Sequence, residues 1–193
     1  MIDLGVAAQQ VMTLVAGTRD DQLADTTPCP DYTVGELMDH IIGLTLAFRL
    51  AALKASLDDG AAPGQSGSAP ELPSDWRERL PRQLDALVAA WRDPAAWEGE
   101  TTAGGVTMPA AEMGVVTLDE LVLHGWDLAQ ATGQPFHCNP VHVEAVLGFT
   151  TAVAEAGPEA REGLFGPPVD VPPDAPAFDR ALGLAGRDPA WTP

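Results

Sequence analysis

The sequence predicts an all-α protein built around a four-helix bundle. Three observations carry that prediction. Apolar residues recur at helical spacing in four long stretches. Hydrophobic residues make up 46% of the chain but aromatics only 6%, so the core is mostly Ala, Val and Leu, a composition that favours helices. Helix-start and helix-stop residues punctuate the stretches, Thr33 and Gly133 most clearly. At 193 residues the chain reads as one domain, 1–193, with a core of about 3–156 and a Pro/Gly-rich tail, 157–193.

The first helix is expected over residues 3–17, where Leu4, Ala7, Ala8, Val11, Leu14 and Val15 share a face. Residues 18–32 are polar and Pro-rich, and Pro28 and Pro30 keep Thr27-Pro-Cys-Pro-Asp-Tyr32 out of a helix. Thr33 then caps a second helix, 34–56, with Glu36 completing a capping box. Residues 58–73, rich in Gly, Ala, Ser and Pro, read as a flexible surface loop that is dispensable for folding. Ser74 is the expected cap of a third helix, 75–92, with Leu80, Leu84, Leu87, Val88 and Trp91 inward. Pro81 fits there only in the first turn or at a bend. Residues 97–107 suit a small hairpin or an irregular loop turning at Gly104-Gly105. Pro109 opens the fourth helix, which runs to 132 and stops at Gly133. Asn139-Pro140 starts a fifth helix ending near 156, and the tail carries one short helix over 176–184.

The formal net charge of −18 argues against nucleic acid and anionic membrane surfaces, which would repel the chain. No apolar run approaches the ~20 residues of a membrane span. The start, Met1-Ile-Asp-Leu-Gly5, lacks the basic-then-apolar pattern of a signal peptide. The expectation is a cytoplasmic protein, monomeric or homodimeric, acting on a small molecule. Lys54 is the single lysine, and Arg, Ala, Gly and Pro abound, a bias expected of GC-rich coding and so of a bacterial source. Cys29 and Cys138 are too few and too far apart for a disulfide framework.

The chemistry is concentrated in Thr117-Leu-Asp-Glu-Leu-Val-Leu-His-Gly-Trp-Asp-Leu128. Met113, Thr117, Leu121, Leu128 and Ala131 form one helical stripe, and Glu120 and His124 lie on it one turn apart. A carboxylate on a buried stripe must be paired or bind a metal. Either Glu120 and His124 satisfy each other, or a bound group satisfies both. His40 supplies a third donor for the second case. It sits at the edge of the stripe Leu37, Ile41, Leu44 and Phe48 on the second helix. Two imidazoles and one carboxylate suit catalytic zinc or a non-haem iron(II) site with open positions. Asp127, one turn past His124, is either an orienting partner or pocket base for that imidazole, or a solvated helix residue. Thr117 and Phe48 are candidate pocket residues. Trp126 reads as packing, Cys29 as a structural thiol with no adjacent base, and His137 and His142 as surface residues.

Two segments carry a family resemblance: Thr27-Pro-Cys-Pro-Asp-Tyr-Thr-Val-Gly-Glu-Leu-Met-Asp-His40 and Glu120-Leu-Val-Leu-His-Gly-Trp-Asp-Leu-Ala129. Together they resemble the DinB-like superfamily, and within it the metal-binding N-terminal domain of mycothiol-dependent maleylpyruvate isomerase. The resemblance spans roughly residues 3–156. It implies a four-helix bundle holding a divalent metal on His40, Glu120 and His124. Zinc is the first expectation, with nickel, iron or manganese as alternatives. It also implies a low-molecular-weight thiol such as mycothiol. That isomerase carries a further C-terminal domain, which the 37 residues from 157 on do not match.

Two classes of function follow. One is a thiol-dependent metalloenzyme, a transferase or isomerase acting on a small electrophile. The other is a non-catalytic metal-binding or small-ligand-binding module. A metal-dependent hydrolase is a third reading of the same ligands.

Overall fold

The computed structural model describes residues 1–55 and 72–193. The loop expected over 58–73 therefore lies, but for its last two residues, outside the described residues. Four long helices form the core: α1 (Gly5–Gly17), α2 (Val34–Ala52), α3 (Trp76–Trp91) and α4 (Ala110–Thr132). Helix α1 packs on α3 and α4, and α2 packs on the same two. The ring order is thus α1, α3, α2, α4, with α1 and α2 on a diagonal. This order makes α2 and α4 neighbours and lets their stripes meet. Leu37, Met38, Ile41 and Phe48 of α2 and Met113, Leu118, Leu121 and Leu128 of α4 are all buried.

Thr33 and Glu36 form the expected capping box: the Thr33 N–H donates to Glu36 Oε2 at 2.8 Å, and the Glu36 N–H to Thr33 Oγ1 at 3.4 Å. Helix α2 stops at Ala52, short of the expected 56. Lys54 takes a left-handed backbone (φ 54°), and the Ala55 N–H returns to Leu50 O at 3.0 Å. That is a Schellman stop made without glycine. It is held by Lys54 Nζ, which donates to Glu98 O at 2.7 Å. Sequence reading missed it because Lys is an ordinary helix former.

Helix α3 begins after Asp75, not at a Ser74 cap. Asp75 caps nothing with its side chain and pairs instead with Arg79 at 3.1 Å. Pro81 lies in the second turn, and the helix runs through it. A single 3₁₀ turn, Pro94–Trp97, leads into the hairpin β1 (Glu100–Ala103) and β2 (Val106–Pro109). Gly104 (φ 58°) and Gly105 (φ 82°) make its turn, where both central residues must be left-handed. Thr101 Oγ1 donates to Ala51 O at 2.6 Å and ties the hairpin to the end of α2. Pro109 closes β2 and flanks α4, so the helix itself starts at Ala110 rather than with the proline. Gly133 (φ 67°) ends α4 as expected.

Helix α5 (Pro140–Ala156) opens on Asn139, whose side chain accepts from the Val141 N–H at 2.9 Å. It packs on the outer side of α4. His142, expected at the surface, is 4% exposed, and its Nε2 hydrogen-bonds Asp3 O at 2.9 Å. Docking the chain start against α5 buries it. After the short α6 (Pro158–Arg161), the C-terminal segment forms α7 (Ala177–Leu184), which packs on α5. Buried Arg161 pins that segment by donating to Leu184 O at 2.7 Å and also to Gly166 O. Among the described residues no helix is long and apolar enough to cross a membrane.

Trp97 occupies the space beside Gly114 where a side chain would stand, and its indole N–H donates to Trp91 O at 2.7 Å. The Gly114→Ala variant must therefore displace a large ring. We expect it to lower the unfolding free energy by about 1–3 kcal/mol, measured by urea denaturation.

Candidate metal centre

His40 comes from the second turn of α2, Glu120 and His124 from the middle of α4. One ligand-type atom of each lies within 4.8 Å of the others. The adjacency of α2 and α4 produces this, together with the one-turn spacing of Glu120 and His124. His124 Nε2 is 3.1 Å from Glu120 Oε2, and the His40 and His124 rings meet edge to face at 4.9 Å. His124 is buried, while Glu120 keeps 24% of its side chain exposed, so the cluster reaches solvent at the carboxylate.

The far side of His124 is fixed. Its Nδ1 lies 3.0 Å from Asp127 Oδ2, and Asp127 has no exposed surface. Asp127 in turn accepts from Arg187 Nη2 at 3.1 Å and Nε at 3.4 Å. The third face of the guanidinium, Nη1, donates to Ala185 O at 2.8 Å. Gly186 aims this arginine inward. Its φ is 80°, and an added Cβ would stand 3.0 Å from the carbonyls of Gly166 and Pro167.

Tyr32 covers the other imidazole. Its ring stacks on His40 at 4.8 Å, and its hydroxyl is 3.4 Å from His40 Nδ1. The Pro-rich segment sets this position: Thr27 Oγ1 lies within 2.9 Å of both the Cys29 and Tyr32 carbonyls.

Beside the cluster a narrow, partly open cleft lies between the four helices, and Thr117 and Phe48 both line it. The structure thus brings together His40, Glu120 and His124, places Asp127 behind His124, and sets Thr117 and Phe48 on the cleft wall. Trp126 is core, 5% exposed. Two residues of the site escaped sequence reading. Tyr32 was visible only as a member of the quoted segment. Arg187 carried no signal, since one arginine in a Pro/Gly-rich stretch looks like surface.

The electrostatics follow from burial and pairing. Burial alone would lower the His124 pKa, but hydrogen bonds from Asp127 and Glu120 outweigh it and push it up to about 9. Burial would raise the Asp127 pKa, yet Arg187 and His124 hold it below the ordinary carboxylate value. Burial pushes the Cys29 thiol up to about 11. Tyr32, half-buried beside Asp31 and Glu120, is pushed up to about 12.

The donor set passes a test of chemical fit. With its Nδ1–H given to a buried carboxylate, His124 would, on losing the proton it shares with Glu120, offer the Nε2 lone pair on the cluster side, the arrangement metal-bound histidines use. A helical bundle with two imidazoles and a carboxylate of metal-ligating type on facing helices defines the class. The chain belongs to the mycothiol maleylpyruvate isomerase N-terminal domain family, whose model matches residues 4–129. It is 31% identical over 189 residues to the Mycobacterium tuberculosis protein Rv0738, covering 90% of each chain. A second protein of that organism, Rv0036c, is 27% identical over 208 residues, covering 99% of this chain and 76% of its own. The crystal structure of mycothiol-dependent maleylpyruvate isomerase superposes with a TM-score of 0.60 at 17% identity, over 80% of this chain and 70% of that one. A histidine-to-alanine variant of that enzyme gives 0.62 at 16% identity over the same shares. These two likenesses speak for the fold.

Two outcomes are expected. Arg187→Ala leaves Asp127 buried without its cation and should cost about 3–5 kcal/mol of stability in urea melts. Arg187→Lys should recover little, because one ammonium cannot replace the fork. The metal-free protein should also show a pH signature. The folded His124 pKa, about 9, lies above the unfolded value near ~6.5. The pairing therefore contributes its full stability below the unfolded value and loses it as pH rises through the folded one. Melting temperature against pH, with His124→Gln as control, reads this; a slope shared by the variant would refute it.

Proposed function

We propose that the chain holds a divalent metal on His40, Glu120 and His124 and serves a thiol-dependent transferase or isomerase reaction on a small electrophile. The carrying observation is the convergence of these three donors within 4.8 Å in a chain of this family. Zinc is the first assignment; nickel, iron and manganese suit the same mixed nitrogen and oxygen donors. A divalent metal there supplies a Lewis-acid position at which a thiol is deprotonated near neutral pH.

The chain's own residues do the rest. Asp127, fixed by Arg187, accepts from His124 Nδ1 and so keeps the Nε2 lone pair on the cluster side. Tyr32 remains a neutral phenol at physiological pH and shields the face of His40. The apolar cleft walls exclude water from the reacting groups. Cys29 stays a thiol, since burial raises its pKa to about 11. The sulfur nucleophile therefore comes from outside the chain, as a low-molecular-weight thiol such as mycothiol. The relatives named for mycothiol support that choice.

Cobalt(II) in place of the native metal tests the reading. Adding a small thiol should produce a sulfur-to-metal charge-transfer band in the near ultraviolet. His124→Ala should abolish it, and Cys29→Ser should leave it intact. Variants of His40, Glu120 and His124 to Ala should each lose metal after gel filtration. If the triple variant keeps its metal, the ligand assignment fails. Bound cobalt without a band for any thiol would favour a hydrolytic site or a binding module.

A further inference from the structure

We propose that the cleft beside the cluster selects a small electrophile with a neutral, apolar body and rejects substrates that carry a carboxylate away from the reacting group. This deepens the function proposed above and rests on it. The cleft is walled by all four bundle helices: Val11 from α1, Leu44 and Phe48 from α2, Leu87 from α3, Leu121 from α4. Its polar end is formed by Glu120 and His124. Two hydroxyls interrupt the apolar wall, and both are turned to protein acceptors. Thr117 Oγ1 donates to Met113 O at 2.8 Å, and Thr45 Oγ1 is shared between Ile42 O at 2.9 Å and Gln83 Oε1 at 3.2 Å.

Among the described residues no lysine or arginine lines the cleft. The nearby cation of the site, Arg187, has Nε and Nη2 on Asp127 and Nη1 on Ala185 O, and it is 6% exposed. A carboxylate on a ligand could meet the metal at the polar end. A second one would have to lie against Leu, Val and Phe with no cationic side chain on the wall to meet it, which is heavily penalised. The net charge of −18 adds a general repulsion for dianions. The family takes its name from maleylpyruvate, a dicarboxylate. This cleft is built for a different charge class.

The experiment uses hydroxamates, which anchor on a metal without any thiol. Zinc-loaded protein is titrated by calorimetry with acetohydroxamate, butyrohydroxamate and hexanohydroxamate. Affinity should rise about two- to fourfold per added methylene as the tail enters the apolar cleft. Succinic monohydroxamate places a carboxylate where butyrohydroxamate has a methyl group, and it should bind at least about tenfold more weakly. Leu44→Lys puts an ammonium on the wall and should close that gap. If this variant fails to fold, the unmodified protein still decides. A flat length series, or a succinic ligand as tight as butyrohydroxamate, overturns the apolar selectivity while leaving the metal reading intact. Failure of acetohydroxamate itself to bind zinc-loaded protein shows a zinc without an open position and overturns the cleft proposal, while failure of the unmodified protein to retain zinc after gel filtration overturns the metal reading.

Discussion

Asp127 is the point on which the site turns. A carboxylate with no exposed surface must be matched by charge and hydrogen bonds or be neutral. Here the match comes from two directions. His124 approaches from one turn back on the same helix, and Arg187 from far along the chain. Neither partner is optional once Asp127 is buried. The C-terminal segment is therefore tied to the bundle through its site, and the orientation of His124 depends on residues that follow α7.

The bundle and the cluster were legible in the sequence for one reason: both are local patterns. Helical stripes, the Thr33–Glu36 box and the Gly133 stop are set by residues within a few positions of one another. The one-turn spacing of Glu120 and His124 is of the same kind. His40 needed a single long-range guess, that the stripes of α2 and α4 face each other, and the ring order of the helices meets it. What stayed illegible depends on distant partners. Lys54 ends α2 because the carbonyl of Glu98, at the end of the 3₁₀ turn before the hairpin, waits for its ammonium. His142 is buried because Asp3 docks against it. Arg187 joins the site because Gly186 turns it inward, in a stretch whose composition resembles a solvated tail.

The same geometry separates two sulfur roles. Cys29 lies close enough to the site for Asp127 and Arg187 to act on its thiol. Burial nevertheless dominates, and the thiol stays protonated. Under the proposed function the sulfur nucleophile would then have to be delivered from solution. The exposure of Glu120 gives that nucleophile an approach, while the cleft behind it remains apolar.

The charges around His124 also bear on how a metal could come and go. Without metal, imidazolium and guanidinium stand against the carboxylates of Glu120 and Asp127, and the group is neutral. The raised His124 pKa, about 9, means a proton holds this arrangement together near neutral pH. A divalent metal replacing that proton leaves the group with one net positive charge, a modest change for a partly open site. The imidazole keeps its bond to Asp127 in both states, so neither its position nor that of the C-terminal segment must alter. At the proposed metal site the proton would thus stand in for the ion. Loading of the proposed metal would then be an exchange of a proton for an ion among donors the helices already bring within 4.8 Å of one another.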